Sequence, residues 1–223
     1  MKKPANPAPR NLAAPTPNGS ALGLERLVFF SDAVMAIAMT LLAADLRVPQ
    51  LDPSAAAAEL PFALSSAQPQ IISFVISFVV IGIYWLSHHR TFGYIQRYDA
   101  RLATLNMIFL FFIVCMPFLA RLLGEYAYLP LSIATYSLAV AGIALSQLGV
   151  WHYATRHHRL VDPSLDRTEI AAGYVRNIAG ALLFLVAAPI AFVSIAASFA
   201  LWWLSPLVSI IAVRRLSRRP ALS

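Results

Sequence analysis

An all-helical membrane protein with six transmembrane spans is predicted by three observations. The 223-residue chain is 59% hydrophobic and only 12% charged, about half the charge that soluble domains carry. Its apolar residues fall in long runs, each close to the ~20 residues that cross a bilayer as a helix. Its basic residues alternate in density from one inter-run segment to the next, as an even number of crossings requires.

The elements follow in chain order. Residues 1–22 contain Pro4, Pro7, Pro9, Pro15 and Pro17 with Asn18-Gly19-Ser20, and read as a disordered tail. They have basic residues but no apolar stretch, so no signal peptide is expected. The six-helix domain is assigned to residues 23–216, and residues 217–223 form a basic C-terminal tail. The first span runs from about Leu24 to Leu46 and the second from Gln70 to Leu86. The third covers Leu102 to Leu123 and the fourth Leu129 to Tyr153. From Ile170 to Val213 the apolar stretch is too long for one crossing of a core about 30 Å thick at about 1.5 Å per residue. It divides near Pro189 into spans five and six. Pro117 and Pro206 also fall inside spans, where a kink is expected.

Between the first two spans, Asp52-Pro53-Ser54 precedes an alanine run ending at Glu59. This reads as an N-cap, a proline at the first helical position and a short helix on the non-cytoplasmic surface. One side of the membrane collects Lys2, Lys3, Arg10 and Arg26, then Arg90, Arg97 and Arg101, then Arg156, Arg159 and Arg167, and finally Arg214, Arg215, Arg218 and Arg219. The other has only Arg47 and Arg121, beside Asp52, Glu59 and Glu125. The positive-inside rule then puts both termini in the cytoplasm.

The same distribution explains the net charge of +7 by orientation, and no nucleic-acid partner is expected. A single cysteine, Cys115, excludes an internal disulfide and a cysteine-based metal site. No cofactor is implied.

The first span carries the functional signal. Arg26-x-x-x-Phe30-Ser31-Asp32 leads directly into apolar sequence, and charge in hydrocarbon costs roughly 2.5–3.5 kcal/mol at a helix centre. At 100° per residue, Phe30, Val34, Ile37, Leu41, Ala44 and Val48 share one stripe. Thr40 flanks it, about 60° from Ile37. Ser31 lies about 120° to one side of Ile37 and Asp32 about 140° to the other. The stripe faces lipid, other helices or a pore. Asp32 is read as a carboxylate held by hydrogen bonds from neighbouring helices rather than as a pore ligand. Arg26 and Asp32, six residues apart, do not face each other.

These residues carry a resemblance. Arg26-x-x-x-Phe30-Ser31-Asp32-Ala-Val-Met-Ala36-Ile37-Ala-Met-Thr40-Leu41-Leu42 resembles the first-helix signature of the transmembrane protein 175 family, lysosomal potassium channels with bacterial relatives. The likeness continues through Ser77-Phe78, Trp85, His88 and His89, and returns from Leu105-Asn106 to Pro117-Phe118. The resemblance implies a homotetramer of six-helix subunits in the cell membrane. The first helix of each subunit would line a central pore that conducts K+ passively. It also implies a constriction of apolar side chains at Ile37 and Leu41, with Thr40 bearing on ion preference. Ala44 stands where bacterial relatives often have leucine, which would widen the outer part. Arg26, Phe30, Ser31 and Asp32 would hold the helices together through contacts extending to Trp85 and to His88 or His89. No Thr-Val-Gly-Tyr-Gly loop is present, so a carbonyl-ring filter is excluded; four copies of the Ile37–Leu41 stripe around the implied axis would make an apolar constriction that can gate by dewetting.

Other chemistries fit less well. His88-His89-Arg90 and His157-His158-Arg159 lack the i, i+4 spacing of a helical zinc pair and read as cationic membrane-edge faces. The exception is a structural role for His88 or His89 against the first helix. Ser31, Asp32 and His88 are the residue types of a hydrolase triad, but no nucleophile elbow accompanies them, and an enzyme is not expected. A secondary transporter would show inverted repeats or helices broken at the midplane, and neither is evident. That alternative and a non-conducting membrane scaffold both remain open to sequence.

Overall fold

A computed structural model describes residues 17–47 and 50–217. It contains seven α-helices: α1 (Pro17–Ala44), α2 (Ala56–Ser66), α3 (Gln68–Tyr94), α4 (Ala100–Tyr126), α5 (Pro130–Thr155), α6 (Arg167–Ile190) and α7 (Ile195–Ser217). A 3-10 turn, Arg156–His158, follows α5. The described residues hold no β-strand, only an isolated antiparallel bridge between Ile95 and Val161. Among the described residues, five helices are long and apolar enough to cross a membrane: α1 from Ser20, α3, α4, α5 with its 3-10 turn, and α6. The apolar part of α7, Ile195–Ser209, is shorter.

α1 begins at Pro17 rather than at Leu24, so residues 17–22, read from sequence as tail, are helical. A proline in the first helical turn sacrifices no internal hydrogen bond, which is why the proline-rich segment can feed directly into the helix. The rest of the predicted tails, residues 1–16 and 218–223, and Val48 of the predicted stripe lie outside the described residues.

The outer loop corrects a second expectation. Asp52 does not cap α2. The amide and hydroxyl of Ser54 both donate to Asp52 Oδ1, at 2.8 and 2.5 Å, closing a separate turn. Those bonds hold the Asp52 carboxyl below its usual range. α2 starts only after Ala55 and continues through Pro61 to Ser66.

The break near Pro189 is where the sequence puts it, with α6 ending at Ile190 and α7 starting at Ile195. α4 and α7 run through Pro117 and Pro206 without interruption.

α4 packs against α1, α3 and α5, α5 against α6, and α6 against α7, leaving α1 at one edge of the bundle. The main core joins Met35 of α1, Ile81 of α3, Phe109 and Ile113 of α4, Tyr136 and Ile143 of α5, and Trp202 of α7. Apolar contact alone gives no preference for helix over lipid, so small residues and polar pairs set the packing. A Cβ at Gly173 would stand 2.3 Å from Trp151, whose indole Nε1 donates to the Ile170 carbonyl at 3.0 Å. Trp202 Nε1 donates to Ser137 Oγ at 2.9 Å, the Ser77 and Tyr136 hydroxyls pair at 3.1 Å, and the Ser73 hydroxyl donates to the Ala120 carbonyl.

The ends of the spans nearest Arg97 and Arg159 are tied together by their loops. Gln96 N donates to the Leu160 carbonyl at 2.8 Å beside the Ile95–Val161 bridge. Asp99 caps α4 by accepting from Leu102 N at 2.8 Å and takes a 2.6 Å hydrogen bond from the Tyr153 hydroxyl. Burial pushes the Asp99 carboxyl up, but the bonds from Tyr153 and Leu102 and the charge of Arg159, 3.6 Å away, leave it below its ordinary value.

Candidate functional site

The site is α1 and what fixes its rotation. Leu27, Met35, Ala38 and Leu42 are buried against the bundle. Ser31 lies in the middle of that face and is wholly inaccessible. Its hydroxyl donates to the Leu27 carbonyl at 2.8 Å, which satisfies its proton within the helix. The lone pairs remain, and Asn106 Nδ2 of α4 donates to Ser31 Oγ at 2.8 Å. With its amide NH₂ committed, Asn106 has Oδ1 as its acceptor, and His88 Nε2 of α3 stands 2.9 Å from it. The imidazole must therefore carry its proton on Nε2.

The result is a buried relay with one direction throughout, from His88 to Asn106 to Ser31 to the Leu27 carbonyl, linking α3, α4 and α1. The His88 ring is clamped between Phe92 and Phe109, with centroids 4.2 and 5.3 Å away. Its Nδ1 is buried without a hydrogen-bond partner among the described residues.

Beside the relay, Trp85 Nε1 of α3 donates to Asp32 Oδ1 at 2.9 Å. The His89 ring lies 5.9 Å from the Trp85 ring, and His89 is exposed. Four of the sequence-predicted polar residues, Ser31, Asp32, Trp85 and His88, are thus gathered at the junction of α1, α3 and α4. Arg26 and Phe30 are not. Both point to the bare side of α1, and the Arg26 side chain has no hydrogen bond or ion pair among the described residues. His88 reaches α1 only through Asn106. That asparagine lies in the resembling stretch but is not among the site residues expected from sequence. The signal for it was a lone amide in the apolar run of α4.

The face of α1 about 120° from the packed one has no covering among the described residues. Ile37 is 57% exposed, and Leu41 and Phe30 are each 49% exposed. Ala44 and Thr40 are exposed too, while Val34 is partly buried. The Thr40 hydroxyl donates to the Ile37 carbonyl at 2.8 Å, leaving its oxygen lone pairs to face outward. The arrangement has no nucleophile poised beside a base, and the described residues hold no cluster of potential metal ligands.

The family model described as "Endosomal/lysosomal potassium channel TMEM175" matches residues 26–117. A potassium channel of Streptomyces collinus is 36% identical over 173 residues, covering 76% of this chain and 82% of that protein. The human protein named endosomal/lysosomal proton channel TMEM175 is 25% identical over 162 residues, covering 71% of this chain but 31% of its own length. The crystal structure of a lysosomal potassium-selective channel TMEM175 homolog from Chamaesiphon minutus superposes with a TM-score of 0.66 at 29% identity. It covers 87% of this chain and 96% of the other. Sequence and fold therefore agree that this chain belongs to the TMEM175 family of ion channels, which are not enzymes.

Proposed function

We propose that the protein is a potassium-permeable cation channel in which four copies surround an axis lined by α1. The observation that carries this reading is the asymmetry of α1. One face is locked to α3 and α4 by a buried, directional relay, while the apolar face about 120° away is left bare. A lipid-facing helix needs no such rotational lock, since hydrocarbon accepts any apolar side chain. A pore-lining helix does, because a small rotation would carry Ile37 and Leu41 off the axis.

In this reading Ile37 and Leu41 form the constriction and Thr40 contributes to ion preference from beside it. Ala44 leaves the outer end wider. Ser31, Asp32, Trp85 and His88 brace the helix away from the ion path. Arg26 and Phe30 then have their contacts with neighbouring subunits. An apolar ring of this kind passes ions only when wetted, which gives a gate without a carbonyl filter.

The channel lies in the cell membrane with six crossings per subunit and both termini cytoplasmic. The full α7, at about 1.5 Å per residue, spans about 34 Å, enough for a hydrocarbon core of about 30 Å. The alternation of arginines supports the same even count. The channel unit is the 23–216 domain, to which residues 17–22 add the first turns of α1.

The test is K+ flux into vesicles reconstituted with the purified protein. Passive flux that persists without any proton or sodium gradient is expected. Flux that requires a co-ion gradient would replace the channel with a secondary transporter. No flux under any gradient would leave a membrane scaffold.

A further inference from the structure

A cavity of about 540 Å³ opens at the end of the bundle opposite the Asp99 cap, behind the C-terminal turn of α1. Leu42 and Leu46 from the α1 end, Leu60 and Leu64 of α2, Phe74 of α3 and Pro117 of α4 give it apolar walls. α2 forms one wall yet buries none of its own residues, and Phe62 on it is 77% exposed. The volume lies within the range of about 300–1,000 Å³ typical of sites that enclose a ligand.

The rim has both signs of charge. Arg121 and Glu125 are paired at 2.9 Å. Asp45 and Arg47 are exposed, and neither side chain makes a hydrogen bond or ion pair among the described residues, although the Asp45 carboxylate lies within electrostatic reach of Arg121. All four line the cavity.

From this we infer that the cavity holds an acyl chain of a phospholipid whose headgroup carries both a phosphate and a primary ammonium, the phosphoethanolamine type. The apolar walls lie where the spans end, so a chain enters from the adjoining leaflet. Arg47 meets the phosphate with a charge-assisted hydrogen bond, and Asp45 accepts from the ammonium. A headgroup that is only anionic would satisfy Arg47 but set its charge against Asp45 and Glu125. The mixed signs of charge on the rim therefore select the zwitterion.

Native mass spectrometry of the full chain in detergent tests this, with titrations of phosphatidylethanolamine and phosphatidylglycerol of identical acyl chains. The expected result is a saturable phosphatidylethanolamine adduct, one per protomer, about tenfold tighter than phosphatidylglycerol. Ala63→Trp, which fills the cavity from α2, should abolish it. Arg47→Gln and Asp45→Asn should each weaken phosphatidylethanolamine about tenfold. Phe62→Ser, outside the lining, should leave it unchanged. Equal affinity for phosphatidylglycerol, no saturable adduct, or equal loss in Phe62→Ser and Ala63→Trp would overturn the inference. Should Ala63→Trp fail to fold, the two charge variants decide the outcome alone. Lipid retention is read without ion flux, so a negative result bears on the cavity and not on conduction.

Discussion

On the side of α1 turned toward α3 and α4, Leu27, Ser31, Met35, Ala38 and Leu42 are all less than a tenth exposed. About 120° around the same helix, Ile37 and Leu41 stand roughly half bare. The packed face holds its polar atoms in fixed roles, so its chemistry is consumed in holding position. The bare face offers apolar side chains, the outward lone pairs of Thr40 and, toward its N-terminal end, the Arg26 guanidinium. One helix thus separates anchoring from the surface it presents, and each can be perturbed while the other is watched.

The strongest blow to the packed face is Asn106→Ala. It removes two interhelical hydrogen bonds and leaves His88 Nε2 and Ser31 Oγ buried without their partner. Interhelical hydrogen bonds in membranes average about 0.6 kcal/mol and reach about 1.7, so the pair should cost roughly 1–3 kcal/mol. Thermal unfolding in detergent should show a clear loss. Asn106→Asp is the informative companion, because it keeps an acceptor for His88 but deletes the donor to Ser31. Stability equal to wild type in Asn106→Ala would mean that the relay does not set the rotation of α1.

How much of this contrast was legible beforehand depends on what periodicity can carry. The angular arithmetic separates Ser31 and Asp32 from the Ile37–Leu41 stripe because it needs only the pitch of a helix. It does not say which helix faces Ser31, and Asn106 is invisible to it, being a partner and not a period. The long apolar runs and the break near Pro189 are likewise readable, since a stretch too long for one crossing has to divide. The start of α2 is hidden from the sequence for a related reason. Asp52 and Ser54 have the composition of a cap, but their side chains satisfy each other, and nothing in the sequence ranks that turn above a helix start. Arg26 shows the limit from the other side: its motif is plain, while the described residues of the protomer give its side chain no partner.

A smaller effect is expected at the edge between the two faces. Trp85→Phe keeps the aromatic bulk near His89 and removes only the hydrogen bond to Asp32. Both groups are partly accessible, so water can replace the lost partner, and the cost should be about 0.5 kcal/mol. Asp32→Ala in the Trp85→Phe background should add little if the indole is the main partner of the carboxylate. A large additional loss would assign Asp32 a second contact, in a neighbouring subunit, and would move the boundary of the packed face toward Asp32.

The least change in stability, and the sharpest separation of the faces, is expected from Ile37→Asn. Its side chain touches no part of the relay, so thermal unfolding should shift by no more than about 0.5 kcal/mol, the usual range for an exposed position. Conduction should behave in the opposite way. An amide ring in place of four sec-butyl groups would wet the constriction, raise leak and weaken discrimination between K+ and Na+. The two measurements on one purified sample therefore make a joint test. Unchanged flux with unchanged stability would leave the bare face to lipid. Loss of stability with loss of flux would mean that the stripe is structural, and that the ion path runs along some other helix.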